Sequence, residues 1–404
     1  MNQKATVLGI ILVLLVAMDG QVLGEQEQWL GYRTAGETYE ILGSIYSQNL
    51  TLTTDSPEGL ELPKFTGADP LFAKWNTPMS KSPVWVALDR SSAKGDYDRL
   101  YIDSDLDGSL ADETGIKATY TQKRDDYYHA EFKLVRVLLP AEDGPVAYHL
   151  NMTYRNSRGN KNMFSMAGGW YEGAVTVGGE KLWCTLIDNN ANGQFGESST
   201  DRFQCDQIRI ARKADRSFRQ RETDRTTRFV GRHIQVGQKL YELEIARDGA
   251  YVKFTPPGEV PTGTIQVGET VNAFSVFGEQ GHFFRNAKDG AADVPVGKYM
   301  IDKYEVTRKD KSGALWKISE TGAGGEKPFT VEAGKTTTLD IGGPFLCNLT
   351  VSKSGNQYRI NQSIRTQKGR NLSYTRNGSR PPAPMVRITS ADGSYDRKFR
   401  LEYG

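Results

Sequence analysis

The sequence predicts an all-β protein, with an antiparallel β domain that carries two acidic loops, followed by one or two small β-sandwich domains. The chain of 404 residues contains 42 glycines, and many of them stand in turns between short runs rich in Val, Ile, Tyr, Phe and Thr. No long segment repeats its apolar residues every 3.6 positions, as an amphipathic helix requires. Short β-rich runs separated by glycine-containing turns are typical of antiparallel sheets and sandwiches.

The amino terminus has the pattern of a secretory signal peptide over residues 1–24. Lys4 supplies a positive charge, residues 5–17 form a short apolar stretch, and Gly24 is a small residue just before a polar segment. The apolar stretch is shorter than the ~20 residues that a transmembrane helix needs. We therefore expect no transmembrane segment and a protein that is secreted, periplasmic or held at the cell surface.

Residues 25–257 are predicted to form one β-rich domain built from hairpins. Turn signals stand between strand-like runs at Gly178-Gly179, Gly237-Gln238 and Asp248-Gly249. Asp-Gly and Gly-Gly suit the primed two-residue turns, whose twist matches that of the flanking strands. Pro256-Pro257 ends this series and marks a domain boundary, because paired prolines cannot continue a hydrogen-bonded ladder.

Downstream of the two prolines, strand-like runs recur at about ten-residue intervals, which is the spacing of a small β-sandwich. This spacing predicts a β-sandwich domain over residues 258–342. Residues 343–404 contain hairpin signals of their own. They form either another small β-sandwich or an extension of the preceding domain, and the sequence leaves both alternatives open.

Two acidic loops, each directly after a strand-like run, have the opening of an EF-hand-type calcium loop. In both, oxygen-bearing side chains occupy positions 1, 3 and 5, glycine occupies position 6 and an apolar residue occupies position 8. Alternate oxygen ligands on a tightly turning backbone converge on one hard cation, and glycine permits the bend. The candidate Ca²⁺ ligands are Asp103, Asp105, Asp107, Ser109 and Asp112 in the first loop and Asp188, Asn190, Asn192, Gln194 and Glu197 in the second.

Neither loop completes an EF-hand. Position 12, where a bidentate Glu belongs, is Thr114 in the first loop and Ser199 in the second. The flanking runs predict strands, so we expect structural clips at strand ends. The alternative for each loop is an Asx-rich turn that satisfies its own backbone amides without an ion. Three aspartates favour Ca²⁺ in the first loop, because they would repel one another without a cation. The second loop has one Asp and two Asn at these positions, and both alternatives stay open.

Two segments resemble known families. Residues 294–301 read V-P-V-G-K-Y-M-I and resemble the strand entry of transthyretin-like and carboxypeptidase-regulatory-like modules. That resemblance implies a seven-stranded, Ig-like sandwich used for adhesion, folding support or spacing. Residues 40–254 are similar to uncharacterised exported β-rich bacterial proteins, in which a D-x-N-x-N-G-x-F loop, here starting at Asp188, precedes a hairpin, here starting at Gly237. Neither resemblance implies an activity.

Composition limits the partners and the redox chemistry. The 51 basic and 49 acidic residues give a net charge of +2, and acidic residues interrupt the basic run at 209–232. No nucleic-acid partner is therefore predicted. Cys184 and Cys205 flank the second acidic loop, and they either pair in an oxidising compartment or stay reduced. Cys347 is expected to be a buried small side chain.

No catalytic motif is present in the sequence. It contains no nucleotide-binding glycine pattern, no H-E-x-x-H and no nucleophile elbow, and its four histidines are widely separated. These features favour an exported, non-enzymatic Ca²⁺-binding protein with a structural, cell-surface or recognition role, whose partner is a glycan or a cell-surface protein. The alternative is a carbohydrate-active protein, either a binding module or a glycoside hydrolase with two carboxylates paired in space. Trp75 and Trp170 stand beside turn residues and are the tryptophans expected to be exposed for sugar binding.

Overall fold

The prediction of an all-β fold is confirmed by the computed structural model, in which strands dominate and helix is almost absent. The structure describes residues 26–43, 45–142, 144–214, 227–321 and 327–403. The predicted signal peptide, residues 1–24, and the centre of the basic run, residues 215–226, lie outside the described residues.

Among the described residues before Pro256 there are eighteen strands and one short α-helix. In chain order they are β1 (Gln28–Trp29), β2 (Gly31–Thr34), α1 (Thr38–Leu42), β3 (Gln48–Leu50), β4 (Leu71–Trp75), β5 (Val84–Arg90), β6 (Tyr97–Ile102), β7 (Ile116–Lys117), β8 (Tyr120–Arg124), β9 (Tyr127–Leu139), β10 (Val146–Ser157), β11 (Asn160–Ala167), β12 (Gly169–Val177), β13 (Glu180–Ile187), β14 (Gln207–Ala211), β15 (Thr227–Phe229), β16 (His233–Val236), β17 (Lys239–Ile245) and β18 (Tyr251–Thr255).

Four antiparallel sheets are built from these strands. Their strand orders are β1-β18-β17-β16, β3-β11-β10-β9-β8, β15-β14-β13-β12-β2 and β4-β5-β6-β7. The long strands β9 and β10 alternate buried and less buried residues along most of their length, as strands with one face on a core do. The sheets contribute to one hydrophobic core, in which Trp75, Phe132, Tyr154 and Phe254 are fully buried.

The three hairpins predicted from turn residues are confirmed. β12 pairs with β13 across Gly178-Gly179, and β16 pairs with β17 across Gly237-Gln238. β17 pairs with β18 around the turn that contains Asp248-Gly249. The local turn chemistry therefore predicts the strand pairing correctly in this part of the chain.

After the two prolines, the residues that the structure describes form thirteen further strands. They are β19 (Thr262–Gln266), β20 (Ala273–Gly278), β21 (Gly281–Asn286), β22 (Ala291–Pro295), β23 (Gly297–Lys309), β24 (Leu315–Thr321), β25 (Phe329–Val331), β26 (Thr336–Thr338), β27 (Leu346–Ser354), β28 (Gln357–Arg365), β29 (Ser373–Arg376), β30 (Met385–Thr389) and β31 (Asp396–Arg400).

Two sheets from this second set enclose a separate core around Ile265, Phe283, Tyr299 and Val331. One has the order β22-β19-β26, in which β26 runs parallel to β19, and the other has the order β21-β20-β23-β24-β29, with β25 also paired to β23. Because β29 pairs with β24, a strand from residues 343–404 completes a sheet that begins before them. The hairpins β27–β28 and β30–β31 are largely exposed.

The chain segments on either side of the two prolines contact each other through main-chain hydrogen bonds. The Arg232 N–H donates to the Glu279 carbonyl at 2.9 Å, and the His233 N–H donates to the Gln280 carbonyl at 3.0 Å. A small apolar cluster that includes Cys205, Phe229 and Phe277 lies at the same place. Within the described part of the chain, none of the helices has the length and apolar character needed to cross a membrane.

Candidate cation site

The first acidic loop connects β6 to β7 and is attached to neighbouring segments at several points. The Asp103 N–H donates to the Trp85 carbonyl of β5 at 3.0 Å, and the Leu110 N–H donates to the Glu61 carbonyl at 2.8 Å. The Ser104 carbonyl accepts from the Leu138 N–H of β9 at 2.7 Å. The Leu110 side chain is completely buried, so the apolar residue at position 8 anchors the loop as the pattern predicts.

Carboxylates of the first loop converge in two groups of three. One oxygen each from Asp103, Asp105 and Glu113 lie within 4.8 Å of one another, and the same is true of Asp105, Asp107 and Asp112. Two oxygens bound to one Ca²⁺ at 2.3–2.6 Å are at most about 5 Å apart. The spacing of either group is therefore compatible with ligands of a single cation.

Asp103 is the buried member of this cluster. Only 2% of the residue is exposed, and its Oδ2 accepts from the Gly108 N–H at 3.1 Å. Its Oδ1 is also buried and accepts no hydrogen bond from the described residues, although the Leu106 N–H lies near enough to the carboxylate to lower its pKa. Burial raises the pKa of Asp103 to about 6, and the charges of Asp107 and Asp105 add to this rise. A buried carboxylate oxygen without a donor is costly, and a bound cation would remove that cost.

Glu113 is a candidate ligand that the sequence pattern missed. It stands at position 11, beside the predicted Asp112, and a calcium loop of the EF-hand type assigns no side-chain ligand to that position. In the fold, its Oε1 accepts from the Ser104 N–H at 2.5 Å and its Oε2 accepts from the Ser104 hydroxyl at 3.1 Å. These bonds turn the carboxylate toward Asp103, whereas Asp112 lies in the outer, exposed group.

Ser109 serves the loop in a different way from the one predicted by its position. Its backbone N–H donates to Asp107 Oδ1 at 2.8 Å, and its hydroxyl accepts from the Ala111 N–H at 3.0 Å. These contacts support the turn, and Ser109 contributes no carboxylate to either group. Gly108 adopts φ of +86°, a conformation that most side chains resist, so the glycine at position 6 is explained by the bend.

The second acidic loop, which follows β13, satisfies its polar groups internally. Asp188 is fully buried, and its Oδ2 accepts from the Tyr148 hydroxyl and from the Gly193 N–H, both at 2.7 Å. The side-chain amides of Asn190 and Asn192 donate to Glu197 Oε2 at 3.0 and 2.6 Å. This network is the one expected of an Asx-rich turn, and none of its described carboxylates forms a group of three with a cation's spacing.

Two further residues belong to the second loop's polar network. Gln194 was predicted as a ligand, whereas Asp206 is a carboxylate that sequence reasoning missed. The Gln194 N–H donates to Asn192 Oδ1 at 2.9 Å. Asp206 is fully buried behind the loop and accepts from the N–H groups of Asn189 and Glu197. Burial and the nearby Asp188 raise the pKa of Asp206 well above its ordinary value. No spacing signal in the sequence connects Asp206 to the loop.

Of the three cysteines, one differs from expectation. Cys184 and Cys205 are both buried and unbridged, with Cys184 in the main core and Cys205 in the small cluster beside Phe277. Cys347 is exposed on β27, so the prediction of a buried side chain was wrong.

Trp75 and Trp170 are 0% and 5% exposed, so the prediction of exposure for these residues was also wrong. Their indole N–H groups donate to the Ala191 carbonyl and to Glu172 Oε2, which allows these large side chains to be buried. The exposed tryptophan is Trp29, at 63%. A polar turn beside a tryptophan therefore did not indicate exposure here.

Comparison of the chain with protein-family models, curated proteins and solved structures found no match.

Proposed function

We propose that the protein is an exported β protein whose first acidic loop binds Ca²⁺ as a structural clip, in the service of a structural, cell-surface or recognition role. The observation that carries the proposal is Asp103 Oδ1, a buried acceptor without a hydrogen-bond donor among the described residues. It lies in a group with Asp105 and Glu113 at the spacing of cation ligands. Export rests on the amino-terminal pattern alone.

The chemistry of the donors favours a hard cation. Every member of the two groups is a carboxylate, and neither group contains a His or Cys. Hard oxygen donors suit Ca²⁺ and Mg²⁺, whereas imidazole and thiolate ligands suit transition metals. Mg²⁺ demands near-ideal octahedral geometry and sheds its water reluctantly, while Ca²⁺ accepts irregular sets of carboxylates. The irregular arrangement of this loop therefore favours Ca²⁺.

The loop's attachments explain what a bound ion would do. Its first residues and its middle are hydrogen-bonded to Trp85, Leu138 and Glu61, which belong to three separate chain segments. An ion that holds the loop's carboxylates together would also hold these segments in register at the end of β6. We expect it to stabilise the folded state by mass action, without a change of fold.

Thermal unfolding in Ca²⁺ and in chelator tests the proposal. At a free Ca²⁺ concentration 100 times the Kd, binding should raise the free energy of unfolding by about 2.7 kcal/mol. Mg²⁺ at the same concentration should have a smaller effect. Asp105→Ala should remove most of the Ca²⁺ effect, because Asp105 belongs to both carboxylate groups. Asp105 is exposed, so the substitution leaves the hydrophobic core untouched.

Two variants serve as controls. Asp125→Ala changes an exposed aspartate in the turn between β8 and β9 and should leave the Ca²⁺ effect intact. Asn190→Ala, in the second loop, should remove less of the effect than Asp105→Ala. An unfolding midpoint that is the same in millimolar Ca²⁺ and in chelator would refute the calcium clip.

A further inference from the structure

A cleft of about 830 Å³ lies beside the second acidic loop. We call it the amide cleft and define it by Tyr46, Gln48, Asn76, Asn192, Glu197 and Phe203, which stand on its walls. Its volume falls within the range of roughly 300–1,000 Å³ that is typical of small-molecule sites. It is separate from the carboxylates of the first loop.

The amide cleft combines one exposed aromatic ring with many neutral polar groups and two lysines, Lys74 and Lys81. The Lys74 ammonium lies over the Trp85 ring, 4.7 Å from its centroid. Phe203 is 53% exposed, and its ring contacts the edge of Tyr46 with 4.5 Å between ring centroids. Side-chain amides and hydroxyls make up most of the remaining lining. An aromatic face packs against the apolar C–H face of a sugar ring, and amides can donate to and accept from its hydroxyl groups.

Hydrogen bonds hold the polar walls of the cleft in place. The Gln48 amide donates to the Asn76 carbonyl at 3.0 Å and its oxygen accepts from the Asn76 N–H at 2.8 Å. The side-chain amides of Asn190 and Asn192, which also line the cleft, are held by Glu197. Side chains that are already ordered lose less entropy when a ligand binds, so these contacts prepare the cleft for recognition.

The number of carboxylic acids in the amide cleft distinguishes a binding site from a hydrolase active site. Among the described residues that line the cleft, Glu197 is the sole carboxylic acid. Glycoside hydrolysis ordinarily uses two carboxylates on either side of the scissile bond. We propose that the amide cleft binds a neutral oligosaccharide and does not cleave it. This inference goes beyond the proposed calcium clip and uses none of its residues.

Isothermal titration calorimetry with hexasaccharides of glucose, N-acetylglucosamine, mannose and xylose tests the inference, with oligogalacturonate as an acidic comparison. At least one neutral hexasaccharide should bind with a stoichiometry of one. Phe203→Ala should weaken that binding by roughly tenfold, the effect of one lost aromatic contact. Phe203→Tyr should bind the sugar about as tightly as wild type, because the tyrosine ring offers the same apolar face.

Phe399→Ala is the matched control, because Phe399 is a similarly exposed phenylalanine on β31. It should leave binding unchanged. Failure of all four neutral sugars to bind, binding restricted to oligogalacturonate, or equal binding by wild type and Phe203→Ala would each overturn the inference. The comparison with Phe203→Ala assigns sugar binding to the amide cleft, and the comparison with Asp105→Ala assigns the Ca²⁺ effect to the first loop. The two proposals therefore fail independently.

Discussion

Asp103 and Asp188 occupy the same position of the same motif but differ in their hydrogen bonding. Both are buried and both stand at position 1 of an acidic loop. Asp188 receives a hydrogen bond from Tyr148, which reaches it from β10. Asp103 has no comparable donor for its Oδ1 among the described residues. This difference is the reason that we propose a cation at the first loop, whereas at the second loop the Tyr148 hydroxyl donates a hydrogen bond to the buried carboxylate.

Removing that hydroxyl should destabilise the protein. Tyr148→Phe leaves the ring in place but takes a donor from a buried carboxylate, and hydrogen bonds to charged groups are worth about 1.5–3 kcal/mol. Tyr154→Phe is the matched control, because the Tyr154 hydroxyl is buried without a hydrogen-bond partner among the described residues. Urea unfolding should show a loss of about 2 kcal/mol for Tyr148→Phe. An equal loss for both variants would contradict this account.

At the scale of the elements, turns at strand ends determine both the hairpins and the loops. The turn between β17 and β18 is packed against the second acidic loop, because Gly249 lies against the rings of Tyr171 and Phe195. Phe195 is the apolar residue at position 8 of that loop, and it is 3% exposed. The hairpin therefore covers the residue that anchors the loop.

A pair of glycine substitutions can separate backbone strain from packing. Gly249 has φ of +86°, and an added Cβ would lie 2.7 Å from Tyr171 Cδ2 and 2.8 Å from Phe195 Cγ. Gly237 has φ of +61°, and an added Cβ would meet nothing within 4 Å. Gly237→Ala should cost about 1–2 kcal/mol from backbone strain. Gly249→Ala should cost about 1–3 kcal/mol more from overpacking. Chemical denaturation of the two variants checks the difference.

At the scale of the whole molecule, a buried histidine lies where the two sets of sheets meet. His282 Nδ1 accepts from the Phe229 N–H at 3.2 Å, and its Nε2 lies 3.3 Å from Asp302 Oδ2. Asp302 also accepts from the Ser275 hydroxyl at 3.0 Å and lies 3.8 Å from Arg202. An acceptor at Nδ1 requires the proton at Nε2, so this arrangement holds the neutral imidazole.

Stability should therefore fall in mild acid. Burial lowers the pKa of His282 below its ordinary value of 6.5, with Arg228 and Arg202 contributing, although Asp302 opposes the shift. The unfolded chain then binds the proton more readily than the folded chain. The contribution is fully present above about pH 6.5 and is lost as the pH falls. Urea unfolding at pH 7.5 and 5.5 should show a larger loss for wild type than for His282→Asn. Parallel losses would exclude His282 as the cause.

The division at Pro256-Pro257 leads to a prediction about fragments. The core around Phe283 and Tyr299 is made almost wholly by residues after the two prolines, with Leu240 packed at its edge. A fragment of residues 258–404 should therefore fold cooperatively as a β protein and ignore Ca²⁺, since both acidic loops precede it. Circular dichroism during thermal unfolding, with and without Ca²⁺, is the measurement. An unfolded fragment, or one that Ca²⁺ stabilises, would show that the division is wrong.

The sequence by itself determined the all-β class, the three hairpins at glycine-containing turns and the positions of the acidic loops. These features depend on signals that lie within about ten residues of one another, such as turn conformation and alternating burial. For the same reason the sequence located Asp103, Asp105 and Asp107 as one group.

Only the tertiary structure decided which polar groups meet. Tyr148 lies 40 residues from Asp188 along the chain. The Glu197 N–H donates to Asp206, and the spacing of residues in the loop does not predict this hydrogen bond. The burial of Trp75 likewise depends on the Ala191 carbonyl, 116 residues away. Contacts of this kind arise when sheets pack together, so a local pattern does not predict them. The tertiary structure therefore decided that Asp188 has a buried hydroxyl donor and that Asp103 Oδ1 does not.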